Sequence, residues 1–203
     1  MPQTLIFDLS EVLIAGLLGI ERPLSARLHV DEERILPAFG GPLLRDLCCG
    51  LLSEEDYLNQ VITTQRWQLS PAEIKPIIRA NFRQRVPGME ALLRRLAPRC
   101  ELVLHSDHAV EWVDYIHAVH PFLNVFTAQF FSFELKQTKR EPSTFQRVLQ
   151  ALGRPPEQCF FVDDNPQNVR AAAAAGIPGH IFTSAEAFEA ELAALSILKQ
   201  HNL

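Results

Sequence analysis

Three short polar clusters in the sequence contain residues that could bind a metal ion together. Each follows directly after an apolar run, and they are Asp8 with Ser10, Ser106 with Asp107, and Asp163 with Asp164. Carboxylates held close together repel one another unless a cation neutralises them. Their oxygens are hard ligands of the kind that Mg²⁺ prefers, usually alongside water and a substrate phosphate. If the fold brings the clusters together, the sequence predicts a magnesium site.

Cationic side chains that could balance this charge lie between the second and third clusters. Lys136, Lys139 and Arg140 follow a predicted strand, where an amine could offset the charge of both Asp8 and a phosphate. Asp8 also has a simpler interpretation, because aspartate often caps the turn after a strand. The stretch around Asp8 leaves both interpretations open.

The apolar runs predict the strands of a buried parallel sheet. They are Leu5 to Phe7, Leu102 to Leu104, Val125 to Phe131, Cys159 to Val162 and a short final strand, His180 to Phe182. Predicted helices separate the strands, and this alternation indicates an α/β fold with right-handed crossovers. Because the carboxyl ends of parallel strands meet at one edge of the sheet, where ligands bind in such folds, the polar clusters are expected to converge there.

Helix signals fill the intervals between these strands. Helices are predicted near Met89 to Leu96, from Ala109 to His120, from Pro142, over the alanine run 171–175, and from Ala185 to Lys199. The tryptophans Trp67 and Trp112 are expected in the core rather than in a site.

Residues 15–85 differ from the rest of the chain because they contain helix signals and no strand-like run. Ser70, Pro71 and Glu73 form an N-cap, a first-turn proline and a capping-box glutamate. Ser53 begins another helix with acids in its first turn, and glycines and prolines divide the first half into short helices, about four in total. We predict a helical segment at 15–85 inserted into an α/β core made of 1–14 and 86–203.

Composition narrows the class of protein. The 203 residues are 47% hydrophobic, enough for a sizeable core, and the net charge of −5 with no basic run predicts no binding to nucleic acid or to an acidic membrane. No apolar run reaches the ~18 residues of a membrane span, and the first strand begins too early for a cleavable leader. Cys48, Cys49, Cys100 and Cys159 lack metal-type spacing, so we expect reduced thiols in a cytoplasmic protein. The sequence gives no prediction of oligomeric state.

The chain resembles the haloacid dehalogenase superfamily, whose four motifs match in order. They are Asp8 in Ile-Phe-Asp-Leu-Ser-Glu-Val-Leu-Ile, Ser106 in Leu-Val-Leu-His-Ser-Asp, Lys139 in Glu-Leu-Lys-Gln-Thr-Lys-Arg-Glu-Pro, and the acidic pair in Phe-Phe-Val-Asp-Asp-Asn-Pro-Gln-Asn. The resemblance spans essentially the whole chain and implies a Rossmann-like core with a small helical cap after the first strand. Within the superfamily it is greatest to bacterial phosphatases acting on sugar phosphates such as glucose 1-phosphate, which share a stretch similar to Gly50–Glu55.

The resemblance implies a role for each matching residue. Asp8 would be the nucleophile that forms an aspartyl phosphate, while Ser106, Asp107 and Lys139 would bind the substrate. A Mg²⁺ cofactor would be held by side chains of the first and fourth motifs and by one backbone carbonyl, a set consisting of Asp8, Asp163, Asp164 and the carbonyl of Ser10. The implied substrate is a small phosphorylated metabolite.

Ser10 is the main departure from the family pattern. Family phosphatases usually carry a second aspartate there as general acid and base, and a serine hydroxyl cannot protonate a leaving group efficiently at neutral pH. Glu11, His105 and His108 are possible substitutes, although each could equally be a loop or surface side chain.

Arg140 is a second departure, because the lysine of the third motif is usually followed by proline. The spacing to Glu141 and Pro142 favours Lys139 as the motif lysine, with Lys136 as the weaker alternative. Three cap arginines could touch substrate, although a solvated helix face is the simpler expectation for each of Arg22, Arg27 and Arg45.

Two other functions stay open beside a Mg²⁺-dependent phosphatase. A 2-haloacid dehalogenase also lacks the second aspartate, but the resemblance would then predict a tyrosine at position 10 and no acidic pair. A binding or regulatory protein that lost activity is the other, since a fold by itself does not establish catalysis.

Overall fold

The structure is a computed structural model that describes residues 2–197. Its sheet contains β1 (Thr4–Phe7), β2 (Glu101–Ser106), β3 (Ala128–Phe131), β4 (Cys159–Asp163) and β5 (Gly179–Ile181). Its helices are α1 (Glu21–Leu28), α2 (Ile35–Phe39), α3 (Gly41–Cys48), α4 (Glu54–Gln65), α5 (Pro71–Phe82), α6 (Met89–Leu96), α7 (Val110–Val119), α8 (Ser132–Leu135), α9 (Pro142–Leu152), α10 (Pro166–Ala174) and α11 (Ala185–Ala194).

The five strands form one parallel sheet in the order β3-β2-β1-β4-β5. The central strand β1 pairs with β2 from Thr4 opposite Glu101, and with β4 from Thr4 opposite Cys159. All four residues of β1 are buried, as expected for a strand covered by helices on both faces. The predicted α/β fold with a parallel sheet is confirmed, and β1 lies between the two strands whose ends carry the other polar clusters.

Residues 15–85 contain helices α1 to α5 and a 3-10 turn at Glu32–Arg34, slightly more than the four helices predicted. The predicted capping box of α5 is present, because the backbone N–H of Ser70 donates to Glu73 Oε2 at 2.9 Å. The chain enters and leaves this segment side by side: Ala15 N donates to Gln84 O, and Val86 N donates to Leu13 O, both at 2.9 Å.

Three boundaries differ from the sequence prediction. The third strand begins at Ala128 rather than at Val125, because Pro121–Val125 forms a 3-10 helix. The last strand is Gly179–Ile181, shifted by one residue from the prediction. The closing helix ends at Ala194, with Ser196 in a left-handed conformation; the final residues of the predicted helix, 198–199, lie outside the described part of the chain.

Helices α4 and α5 are joined to α7 by a buried polar cluster. Glu54 at the start of α4 is 2% exposed, and its two carboxylate oxygens accept from Trp112 Nε1 at 2.7 Å and from Arg79 Nη2 of α5 at 2.6 Å. Trp112 and Trp67 are both buried, as predicted. Among the residues that the structure describes, no helix is both long and apolar enough to cross a membrane.

Candidate active site

The polar clusters meet at one edge of the sheet. Asp8 follows the last residue of β1, Ser106 ends β2, and Asp163 ends β4. Because β2 and β4 flank β1, these three side chains are neighbours although they are far apart in sequence. Ser106 Oγ donates to Asp8 Oδ1 at 2.8 Å, and the backbone N–H of Leu9 donates to the same oxygen at 2.6 Å. Asp8 is therefore held by a network across the sheet edge, which is more than a local turn cap requires.

Lys139 lies at the centre of this network. Its Nζ is 2.6 Å from both Asp8 Oδ1 and Asp163 Oδ2, and its side chain is 1% exposed. Burial alone would lower the pKa of Lys139, but Asp163, Asp8 and Asp107 outweigh it and raise the pKa above its usual range. The lysine is therefore charged, and it neutralises part of the carboxylate cluster.

Lys136 does not join the site. It is exposed and ends α8 in a left-handed conformation with a φ of 56°, with its Nζ beside Gly50. The next residues turn back, and the Asp107 carboxylate accepts from the backbone N–H of Lys139 at 3.1 and 3.2 Å. Asp107 thus positions the lysine, and burial raises its own pKa to about 6.

Asp163 is fixed by the start of α10 as well as by Lys139. Its Oδ1 accepts from the backbone N–H of Asn165 at 2.8 Å, and both of its oxygens lie 3.1 Å from Asn168 Nδ2. The sequence analysis missed Asn168; the helix start at Asn165-Pro166 was the available signal, since it places Asn168 on the first turn facing the strand end.

The acidic side chains of the first and fourth clusters suit a divalent cation. Asp8, Asp163 and Asp164 each offer a carboxylate oxygen, and these oxygens lie within 4.8 Å of one another. Burial raises the pKa of Asp163 to about 6, and burial together with Asp163 raises the pKa of Asp164. One lysine does not balance three carboxylates, so the site retains a negative charge and an all-oxygen ligand set that fit Mg²⁺. Asn168 Oδ1 is buried without a partner in the same place.

A histidine joins the two serines of the site. His108 is fully buried, with Nδ1 3.0 Å from Ser106 Oγ and Nε2 3.2 Å from Ser10 Oγ. Burial lowers the pKa of His108 to about 3, so the ring is neutral and has one donor and one acceptor. Because Ser106 gives its proton to Asp8, the network assigns Nδ1–H as the donor to Ser106, and Nε2 as the acceptor from the Ser10 hydroxyl.

The two other substitutes considered for the missing acid lie differently. His105 points away from the site, with Nδ1 3.3 Å from the carbonyl of Phe130 and its ring centroid 5.3 Å from that of Phe145. Glu11 lines the pocket, but its Oε1 accepts from the backbone N–H of Gly16 at 2.7 Å, and burial raises its pKa. Of the three, His108 makes the direct contact with Ser10.

A pocket of about 830 Å³ opens over the sheet edge. Its floor contains the site residues Asp8, Ser106, Lys139 and Asp164, and residues of the segment 15–85 form much of its opposite side. Arg45 lines the pocket from helix α3, while Arg22 and Arg27 are not among the described residues that line it.

Comparisons with known proteins agree with this fold. The family model for haloacid dehalogenase-like hydrolases matches residues 2–176. Flavin mononucleotide hydrolase 1 of Arabidopsis thaliana is 26% identical over 149 residues, which cover 73% of this chain and 60% of that protein. Enolase-phosphatase E1 of Aquifex aeolicus is 31% identical over 61 residues, which cover 30% of this chain and 27% of that protein. The matches thus span less than two thirds of either relative.

Solved structures show the same architecture. A HAD family enzyme from Bacteroides thetaiotaomicron, in complex with magnesium and inorganic phosphate, has a TM-score of 0.74 at 20% identity, covering 91% of this chain and 96% of that chain. L-2-haloacid dehalogenase from Xanthobacter autotrophicus, with chloropropionic acid covalently bound, has a TM-score of 0.71 at 18% identity, covering 98% and 85%. At this level of identity the likeness concerns the fold.

Proposed function

The chain belongs to the haloacid dehalogenase-like hydrolases, and from this premise we propose that it is a Mg²⁺-dependent phosphatase acting on a small phosphomonoester. The observation that carries the proposal is the position of Lys139, within 2.6 Å of both the candidate nucleophile Asp8 and the candidate metal ligand Asp163. A charged amine there can hold a phosphoryl group against both carboxylates, which is the electrostatic task of phosphoryl transfer.

The proposed reaction has two steps. A carboxylate oxygen of Asp8 attacks the phosphorus in line with the leaving oxygen, giving an aspartyl phosphate and an alkoxide, which takes a proton from water. Water then attacks the phosphorus and breaks its bond to Asp8, releasing inorganic phosphate and a proton and restoring the carboxylate. Ser106 and Lys139 would stabilise the phosphoryl oxygens during both steps.

The proposed metal ligands are Asp8, Asp163, Asp164 and the backbone carbonyl of Ser10. When bound, Mg²⁺ would neutralise charge on the transferring phosphoryl group. The two relatives are a flavin mononucleotide hydrolase and an enolase-phosphatase, and the Bacteroides enzyme binds magnesium and phosphate; these likenesses support a phosphatase. We also propose that residues 15–85 act as the cap over this site and that the protein is cytoplasmic.

The acidic pair favours phosphatase over dehalogenase chemistry. A halide leaving group needs no metal, whereas Asp163 and Asp164 beside Asp8 form a cluster that calls for a cation. Position 10 is a serine instead of the tyrosine expected for a dehalogenase.

The test is release of phosphate from acetyl phosphate and 4-nitrophenyl phosphate, with Mg²⁺ and with a chelator, beside release of chloride from 2-chloropropionate. We expect Mg²⁺-dependent phosphate release that falls at least about 10³-fold in Asp8→Asn, because the amide keeps the shape but removes the nucleophile. The variant should unfold cooperatively like the wild type.

Asp114→Asn is the matched control, since Asp114 is exposed on α7 and should keep full activity. Chloride release without phosphate release would establish the dehalogenase alternative, and no turnover of either kind would support a binding protein. Wild-type rates in Asp8→Asn would disprove the covalent mechanism.

A further inference from the structure

The pocket has two chemically different sides. The sheet edge supplies carboxylates, hydroxyls and Lys139, whereas the side chains opposite are mainly aliphatic and aromatic. We define the apolar wall as six lining residues of the segment 15–85, namely Leu17, Leu18, Leu36, Phe39, Leu44 and Phe82. The phosphate of a substrate belongs at the polar edge, so the wall faces whatever the phosphate is attached to.

Aromatic packing makes part of this wall rigid. Phe82 meets Trp112 edge to face with ring centroids 5.4 Å apart, and Phe39 packs against Trp67 at 5.7 Å. Phe39 and Phe82 are at most 1% exposed, while Leu18 is 53% exposed at the pocket. The accessible surface of the wall is therefore aliphatic, and Phe39 and Phe82 pack behind it and fix its shape.

Several polar atoms next to the wall are already hydrogen-bonded within the protein. Trp112 Nε1 donates to Glu54 at 2.7 Å, and the carbonyl of Phe39 accepts from the Tyr57 hydroxyl at 2.6 Å. The carbonyl of Leu18 accepts from Asn81 at 2.6 Å. Hydroxyl groups of a sugar placed against this wall would lose water and find few free partners there.

Arg45 is the exception among the described cap residues that line the pocket, because it carries a charge. Its side chain is 55% exposed and lies 3.5 Å from Glu141 Oε1. An exposed arginine at the rim with its own carboxylate partner does not supply the array of fixed donors that recognition of several hydroxyls requires.

We infer that the substrate is a phosphomonoester with an apolar leaving group, aliphatic or aromatic, that packs against the apolar wall. This deepens the proposed phosphatase function and rests on it. It replaces the sugar phosphate that the sequence resemblance implied. A pocket of about 830 Å³ leaves ample space for a leaving group larger than a simple methyl or ethyl group.

The test compares substrates whose leaving groups have similar basicity, so that chemistry does not mask recognition. n-Butyl, n-hexyl and n-octyl phosphate and glucose 6-phosphate all release a primary alkoxide. We expect kcat/KM to rise about threefold to fourfold for each added methylene, mostly through KM. n-Hexyl phosphate should exceed glucose 6-phosphate by at least about 30-fold, because unpaired hydroxyls are penalised.

Two exposed leucines provide a matched pair of variants. Leu18 lines the pocket and Leu51, which is 65% exposed, is not among its lining residues. Leu18→Gln should reduce the ratio of hexyl phosphate to glucose 6-phosphate activity by at least about threefold, and Leu51→Gln should leave it unchanged. Neither change opens a cavity, so both variants should fold.

The outcomes separate this inference from the proposed function. Release of phosphate from 4-nitrophenyl phosphate together with equal or better turnover of glucose 6-phosphate would overturn the apolar leaving group and leave the phosphatase standing. Equal effects of Leu18→Gln and Leu51→Gln would also overturn it. No release from any phosphate ester, acetyl phosphate included, would overturn both.

Discussion

Ser10 bears on how the leaving group can be protonated, because a serine hydroxyl is a poor general acid. Its hydroxyl lies 3.2 Å from His108 Nε2 and donates a hydrogen bond to that nitrogen in the assigned network. The neutral imidazole is itself hydrogen-bonded to Ser106 at 3.0 Å, so neither Ser10 nor His108 offers an acidic proton to a leaving group. General acid catalysis is typically worth ~10² to 10⁴ in rate, most for basic leaving groups. We therefore expect acyl and aryl phosphates to react faster than alkyl phosphates of equal size.

Ser10→Asp should narrow that difference. A carboxyl near the other acids would have a raised pKa and could protonate an alkoxide, so alkyl phosphates should gain more than aryl phosphates. The measurement is kcat/KM for n-hexyl and phenyl phosphate in both proteins. Ser10→Asn is the control, because it has nearly the same shape and no proton to give. Equal gains on both substrates would mean that hydrolysis of the aspartyl phosphate is the slow step, contrary to this prediction.

The sequence predicted which residues come together at the sheet edge, but it did not predict all of the hydrogen bonds between them. Asp8, Ser106 and Asp163 converge because strand ends in a parallel sheet must do so. The preference for Lys139 over Lys136 agrees with the geometry, and the left-handed turn at Lys136 explains why. The bridge of His108 to Ser10 could not be predicted, because it joins residues 98 positions apart through packing that no local pattern records.

At the scale of the elements, Glu54 connects three helices. Glu54→Gln would leave Arg79, whose side chain is only 17% exposed, without its charge partner. We expect a loss of about 2 to 3 kcal/mol in the free energy of unfolding, since breaking one side of a buried pair strands the other charge. Urea unfolding followed by circular dichroism would measure it.

Glu55→Gln is the matched control for that measurement. Glu55 pairs with Lys75 between the same two helices, but the two side chains are 56% and 32% exposed. An exposed pair is worth at most about 1 kcal/mol, so this variant should be nearly neutral. Equal decreases in the free energy of unfolding of the two variants would show that the buried Glu54–Arg79 pair stabilises the fold no more than the exposed pair does.

The elements themselves were predicted well where burial and periodicity agree. β1, β2 and β4 are short apolar runs ended by polar residues, and each predicted end lies within two residues of the observed one. The predicted start of β3 at Val125 is three residues too early, because Val125 is apolar in either conformation and the 3-10 helix that begins at Pro121 extends to it. Short apolar segments do not distinguish a strand from a turn by periodicity alone.

For the whole molecule, Mg²⁺ should raise the melting temperature, because the ligand oxygens are brought together only in the folded chain. Saturation at about 100 times the dissociation constant corresponds to about 2.7 kcal/mol, or about 5 to 10 °C for a chain of this size. Asp164→Asn should lose at least half of that shift and Asp114→Asn should keep it. The melting temperatures can be measured by differential scanning fluorimetry. If Mg²⁺ raised the melting temperature of Asp164→Asn as much as that of the wild type, Asp164 would not be a metal ligand.

The stability of the whole molecule should also depend on His105. Burial, and secondarily Lys139, lower its pKa to about 3, below the ~6.5 of an unfolded histidine. The unfolded chain therefore takes up a proton first as the pH falls, so this residue's contribution to stability is lost between about pH 6.5 and pH 3. Asp107 and Asp163, with pKa values raised to about 6, act with the opposite sign between about pH 4 and pH 6.

Comparison of variants isolates the histidine from the acids. His105→Asn should reduce the difference in unfolding free energy between pH 7 and pH 4.5 by about 1 to 3 kcal/mol. Phe145→Leu disturbs the same packed pair of rings without removing a titrating group, and should lower stability equally at both pH values. If His105→Asn left the difference in unfolding free energy between pH 7 and pH 4.5 unchanged, the lowered pKa of His105 would be contradicted.

The chain enters and leaves the segment 15–85 side by side, and this pairing bears on how fast the chain can fold. Residue 4 must find residue 101 to begin the central strand pair, which closes a loop of almost half the chain. Once Ile14 pairs with Arg85, the loop that remains to be closed consists only of the two short segments outside that bridge, roughly a quarter of the original loop. Two halvings of a flexible loop lower its closure entropy by about 1.2 kcal/mol, close to a tenfold gain in the encounter rate. The Ile14–Arg85 bridge, which carries a closure cost of its own, therefore brings the two arms of the sheet close together before they pair.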